Sequence, residues 1–164
     1  MNAIEQIIEV LKQNPQVRYE FRADAIRALA PDSNGYEVAL LMHANGSYTV
    51  CLATWHMEFT DEYSAVGTFL SGLTDDYRLK VASRGNVDYR WTIQYREPDG
   101  WKDGSTVGLL RYKFWRRRRI RYLQNHMVSF PEPQQRSQYR RFTRLPSVRC
   151  DGPVGVESLS TTIA

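Results

Sequence analysis

From Val87 to Arg96 the chain alternates without a break. Val87, Tyr89, Trp91, Ile93 and Tyr95 fall on one side, and Asp88, Arg90, Thr92, Gln94 and Arg96 on the other. A period of two puts successive side chains on opposite faces of an extended strand, so this stretch reads as a strand and not as a helix. With apolar side chains on one side and polar ones on the other, it requires a sheet with one face on a core and one face open.

The neighbouring segments extend that sheet. Leu79 and Val81 alternate with Arg78, Lys80 and Ala82, and Gly85-Asn86 supplies a turn into the Val87 strand. After a loop from Glu97 to Gly104, a last strand is expected from about Thr106 to Trp115, running on toward Leu123. Upstream, Tyr36, Val38, Leu40 and Met42 alternate, as do Tyr48, Val50, Leu52 and Thr54. Asn45-Gly46 between them predicts a hairpin with a type I′ turn.

Three helices are expected. Ile4, Ile7, Ile8 and Leu11 mark one amphipathic face, with Asn2 as cap, Glu5 three residues later and Asn14-Pro15 as the stop. A shorter helix is expected from about Ala23 to Ala30, ended by Pro31. Thr60-Asp61-Glu62 opens the third, with a hydroxyl cap and acids in the first turn. Its Ser64, Gly67 and Ser71 form a small-residue stripe suited to lying close on a sheet, and Gly72 is placed to end it in a left-handed cap. The expected fold is therefore α+β, in the order α-α-β-β-α-β-β-β, with an antiparallel sheet of about five strands and helices packed on one face. The 164 residues read as one domain over residues 1–127, followed by a flexible basic tail over 128–164 in which no period is sustained.

No apolar run is long enough to span a bilayer, and the N-terminal residues carry acids where a signal peptide needs bases, so a cytoplasmic protein without a membrane partner is expected. Cys51 and Cys150 lie far apart, with no second thiol near either, which excludes a CxxC pair or a zinc knuckle. Asn45-Gly46-Ser47 matches a glycosylation sequon but reads as a turn.

Charge is unevenly distributed. Residues 1–106 carry 10 basic and 15 acidic side chains, whereas residues 107–130 carry 7 basic and none acidic. The centre of that block is Lys113-Phe114-Trp115-Arg116-Arg117-Arg118-Arg119-Ile120-Arg121-Tyr122. Taken as one strand, Arg111, Lys113, Arg117, Arg119 and Arg121 share a face with Trp115. Leu110, Tyr112, Phe114, Ile120 and Tyr122 share the core-facing side, with Arg116 and Arg118 interrupting it. Arg78, Lys80, Arg84, Arg90 and Arg96 add to the open face from neighbouring strands. A basic face with interleaved aromatics suits a polyanion, because neutralised phosphates release counterions and rings stack on bases. Positive charge on an exposed strand also blocks edge-to-edge aggregation, or pairs with acids of the same chain or of a second copy.

Signals for catalysis are weak. His43, His56 and His126 are dispersed, and His56-Met57-Glu58 offers two ligands on one side of an extended segment without a third. No nucleophile elbow, phosphate-binding loop, dinucleotide fingerprint or zincin helix occurs, and the adjacent Asp75-Asp76 would point apart in an extended chain. No catalytic residue, metal ligand or cofactor is assigned.

Trp55-His56-Met57-Glu58-Phe59, Arg78-Leu79-Lys80-Val81, Arg90-Trp91-Thr92, Phe114-Trp115-Arg116 and Tyr122-Leu123-Gln124-Asn125 give residues 36–125 a pattern that resembles a group of small uncharacterised bacterial proteins. That resemblance implies a single domain and no activity. In element order the chain is similar to roadblock and profilin-like modules, which implies a protein–protein scaffold. Three functional readings result. The first is a non-enzymatic protein that binds an anionic partner such as nucleic acid through Arg111, Lys113, Trp115, Arg117, Arg119 and Arg121. The second is a roadblock-like or homodimeric scaffold, and the third a small enzyme or ligand binder with an aromatic pocket of Tyr89 and Trp91 near His56.

Overall fold

The computed structural model describes residues 1–108 and 115–129. Eleven elements follow one another: α1 (Ala3–Lys12), β1 (Tyr19–Phe21), β2 (Ala25–Ala28), β3 (Val38–Met42), β4 (Tyr48–Leu52), β5 (Trp55–Phe59), α2 (Glu62–Gly72), β6 (Tyr77–Arg84), β7 (Val87–Glu97), β8 (Gly100–Gly108) and β9 (Arg118–Gln124). The class is α+β, but the strands form two antiparallel sheets. The first is a five-stranded meander in the order β1-β2-β3-β4-β5, and the second is four-stranded in the order β8-β7-β6-β9.

Helix α1 forms as its pattern predicts. Asn2 and Glu5 make a reciprocal capping box, and Ile4, Ile7 and Leu11 are buried. The helix expected over Ala23–Ala30 is instead the strand β2. Its burial alternates at a period of two, with Ile26 and Ala28 inward, and it pairs with both β1 and β3. Arg27 points outward, where Glu20 accepts its guanidinium at 2.8 Å. Pairing on both edges overrides the helical preference of the alanines.

The β3–β4 hairpin is present, but its turn is not type I′. Gly46 alone carries a positive φ of 82° there. Gly46 N–H donates to the His43 carbonyl at 2.9 Å, and His43 N–H to the Ser47 carbonyl at 2.8 Å. That is a longer loop in which the glycine takes the left-handed position after an ordinary turn. Likewise the loop expected over Glu97–Gly104 is mostly strand, since β7 continues to Glu97 and β8 begins at Gly100.

Helix α2 occupies the centre. It packs against β3, β4 and β5, against α1 and against β6, and its residues from Ser64 to Gly72 are all buried. A helix covered on every side cannot be strongly amphipathic, which accounts for its mixture of small, hydroxylated and apolar residues. Its cap is Asp61, whose carboxylate accepts from Ser64 N–H at 2.8 Å, rather than Thr60. Gly72 is not a left-handed terminus, because it is the last helical residue and the cap, Leu73, is right-handed. Its role is contact: a Cβ at Gly72 would stand 2.5 Å from Leu52 Cδ2 and 3.3 Å from Val38 Cγ2.

One continuous core joins both sheets and both helices, and Met127 and Val128 belong to it. The Trp55 indole N–H donates to Ser105 Oγ at 3.1 Å inside that core, tying β5 of the first sheet to β8 of the second. After β9 the chain returns to the centre, where Met127 and Val128 N–H both donate to the Leu73 carbonyl. The expected tail, apart from Val128 and Ser129, lies outside the described residues. Among the described residues no helix is long and apolar enough to cross a membrane.

Candidate functional site

In the second sheet the pairing decides which side chains share a face, because directly opposed residues project to the same side. Leu79, Val81, Trp91, Ile93 and Val107 face the core. The opposite side carries Arg78, Lys80, Ala82, Thr92, Gln94, Arg96, Trp101, Asp103 and Thr106, with Arg90 opposite Ala82. The second sheet therefore has a basic outer face, whose cations come from alternate positions of β6 and β7, with Arg118 of β9 joining them opposite Arg84.

This face is ordered by polar contacts. Arg78 Nε donates to Gln94 Oε1 at 2.7 Å, and Gln94 in turn donates to Asp103. Lys80 pairs with Asp103 at 3.0 Å. Burial alone would raise the Asp103 carboxyl, but its hydrogen bonds to Gln94 and Lys80 outweigh that and hold it below the ordinary carboxylate value. The Arg78 guanidinium lies 4.2 Å from the Trp101 ring centroid and 4.3 Å from that of Tyr122. Arg96 reaches the same indole at 5.2 Å and pairs with Asp75 at 3.2 Å.

Strand β9 lies along the free edge of β6, and its register is the reverse of the expected one. Tyr122 is opposite Lys80 and Ile120 opposite Ala82, so both project to the open face. Arg121 is opposite Val81 and Arg119 opposite Ser83, on the core-facing side of the sheet but at its exposed edge. A bulge between Ala82 and Ser83 leaves Tyr89 as an extra residue on β7 and turns Asp88 to that side as well. Arg121 then meets Asp88 at 2.7 Å. The core-facing apolar residue of β9 is Leu123, opposite Leu79.

Of the six residues expected to form one face, Arg111 and Lys113 lie outside the described residues. Trp115 sits in the turn before β9 and is 69% exposed. Arg117 is exposed just ahead of β9, and Arg119 and Arg121 stand on the opposite side from Lys80. What the structure brings together is a corner. Arg84 lies opposite Arg118, donates to the Arg116 carbonyl at 2.8 Å, and adjoins the Gly85 turn against which the Arg116 side chain rests. Arg116, Arg117, Arg118 and Arg119 are all exposed. Among the described residues none of them takes part in an ion pair.

Arg116, Arg118, Trp101 and Tyr122 were not among the expected site residues. The available signal was Leu123: counting back from it in steps of two puts Arg121 and Arg119 on its side and Tyr122 and Ile120 on the other.

The components of the third reading are separated. Trp91 is buried in the shared core. His56 lies opposite Cys51 on the outward side of the first sheet, with its Nδ1 3.2 Å from the Thr54 carbonyl oxygen. Among the described residues no three His, Cys, Asp or Glu side chains stand close enough to hold a metal ion. Burial, aided by Glu37, raises the Cys51 thiol to about 11, which leaves it protonated at neutral pH. The chain matches no protein-family model, no curated protein and no solved structure.

Proposed function

We propose that this protein binds nucleic acid, acting without catalysis or cofactor, through the arginine corner of the second sheet. The observation that carries the reading is the corner itself. Arg116 to Arg119 are four consecutive exposed guanidiniums with no carboxylate paired to them among the described residues, set beside Arg84 and an exposed Trp115. Like charges crowded in this way repel one another, and a run of phosphates relieves that repulsion while releasing its own counterions. Arginine also suits phosphate through its planar fork of donors.

The scaffold reading has less support. Antiparallel pairing of two copies along the β9 edge would bring Arg118, Arg119 and Arg121 of one chain toward those of the other, and basic edges resist such pairing.

The test is charge reversal. Arg117→Glu combined with Arg119→Glu should abolish binding of a labelled oligonucleotide to the full-length chain at low salt. Both side chains are exposed, so the circular dichroism spectrum should not change. Undiminished affinity in the double variant would overturn the reading.

A further inference from the structure

The open face beside the arginine corner holds a row of flat groups. Trp101 on β8, the guanidinium of Arg78 on β6 and Tyr122 on β9 are stacked in sequence, with Arg78 in ring contact on both sides. Gln94 fixes the height of Arg78 by accepting its Nε–H. Tyr122 remains 49% exposed and its neighbour Ile120 44% exposed. A half-exposed tyrosine and isoleucine side by side on an open sheet face form a small apolar patch that the other described residues leave uncovered.

We infer that this row is a base-stacking platform and that the nucleic acid it takes is single-stranded. The inference rests on the nucleic-acid reading above and adds the strandedness of the ligand. Bases inside a duplex are already stacked and present only their edges, whereas an unpaired strand offers π-faces to tyrosine, tryptophan and arginine planes. Among the described residues this face is built of four strands and carries no helix that could enter a groove, so it gains little from duplex. Charge complementarity points the same way. Lys80, Arg84, Arg90, Arg96 and Arg118 flank the row on one face, while the nearby acids are already engaged, Asp103 by Lys80 and Gln94 and Asp75 by Arg96. From Tyr122 to Arg118 is four residues of strand, roughly 13 Å. A base on Tyr122 can therefore belong to the same short stretch of strand whose phosphates reach the corner, and a site of about four nucleotides results.

The experiment compares single strands and duplexes of equal length, binding to the full chain by fluorescence anisotropy at one salt concentration. Single strands should bind at least about tenfold more tightly. Tyr122→Ala should weaken single-strand binding about tenfold without changing the salt slope, and Tyr122→Phe should restore it. Equal affinity for both forms, or a Tyr122→Ala variant that binds as well as the parent, would overturn the platform and leave the arginine corner standing. Absence of binding to either form would remove both readings together.

Discussion

Asn125 and Tyr36 hold each other by both backbone groups: Asn125 Oδ1 accepts from Tyr36 N–H at 3.0 Å, and Asn125 Nδ2 donates to the Tyr36 carbonyl at 2.9 Å. The same Nδ2 donates to the Gly72 carbonyl at 2.9 Å, so one fully buried amide joins the exit of β9, the entry to β3 and the end of α2. Asn125→Ala leaves three buried backbone groups without that partner. It should cost about 3 kcal/mol of unfolding free energy, measurable by urea titration. Asn125→Asp should be worse at neutral than at acid pH, since a carboxylate faces two carbonyl oxygens and a protonated carboxyl restores a donor. A loss below about 1 kcal/mol in the alanine variant would show that the clamp is not needed.

Gly72 and Gly46 should respond to alanine for different reasons. At Gly46 a Cβ meets nothing within 4 Å, so Gly46→Ala pays only for φ of +82°, about 1 kcal/mol. At Gly72 the Cβ lands on Leu52, and overpacking should cost about 1–3 kcal/mol. Trimming Leu52 to alanine in the same chain should recover part of the Gly72→Ala loss, so the two changes should be less than additive. Strict additivity in thermal melts would mean that the helix moves away from the sheet instead.

The Tyr36 hydroxyl is buried and has no hydrogen-bond partner among the described residues. Burial pushes its pKa up, with the neighbouring Tyr77 adding to the effect. Tyr36→Phe removes a desolvated hydroxyl and keeps the ring, so it should be neutral or stabilising by about 1 kcal/mol. A clear fall in melting temperature would reveal a partner for that oxygen.

Cys51 provides a pH dependence with a definite sign. Its thiol lies at about 11 in the folded chain against an ordinary value of 9.0. The folded state thus holds the proton more tightly than the unfolded state. The contribution to stability is complete below pH 9 and is lost as pH rises toward 11. In a Cys150→Ser background, alkylation of Cys51 should be slow at neutral pH and should accelerate over that interval or on adding denaturant. Rapid labelling of the folded chain at neutral pH would contradict the burial.

The sequence reading succeeded where a local pattern and the tertiary environment demanded the same thing. The alternation from Val87 to Arg96 did specify a strand, with Trp91 and Ile93 on the core as expected, although the bulge at Tyr89 turns Val87 out to solvent. Asn2 with Glu5 did specify the start of α1. It failed where distant partners decided. Ala25 to Ala28 are helix formers held extended by pairing on both sides. Gly72 resembles a helix stop by type, yet its role is set by Leu52 and Val38, which only the folded chain brings near. The arginine face was misread for a similar reason. The pattern places a last strand from about Thr106 to Trp115 and carries its facing on toward Leu123, whereas β9 begins afresh at Arg118 after a turn, and its facing is set by pairing with β6. The cations of β6 and β7 could be placed on the open face because β6 is continuous and the bulge of β7, at Tyr89, lies ahead of Arg90 and Arg96.

The central claim is most directly tested by the salt dependence of oligonucleotide binding to the full chain. The account predicts that log affinity falls linearly with log salt, with a slope of about 0.7 per phosphate contacted on a single strand. It further predicts that the Arg117→Glu, Arg119→Glu double variant shows no measurable binding at any salt concentration of the series. No binding at about 50 mM salt, where the Debye length is longest and electrostatic association strongest, would contradict it.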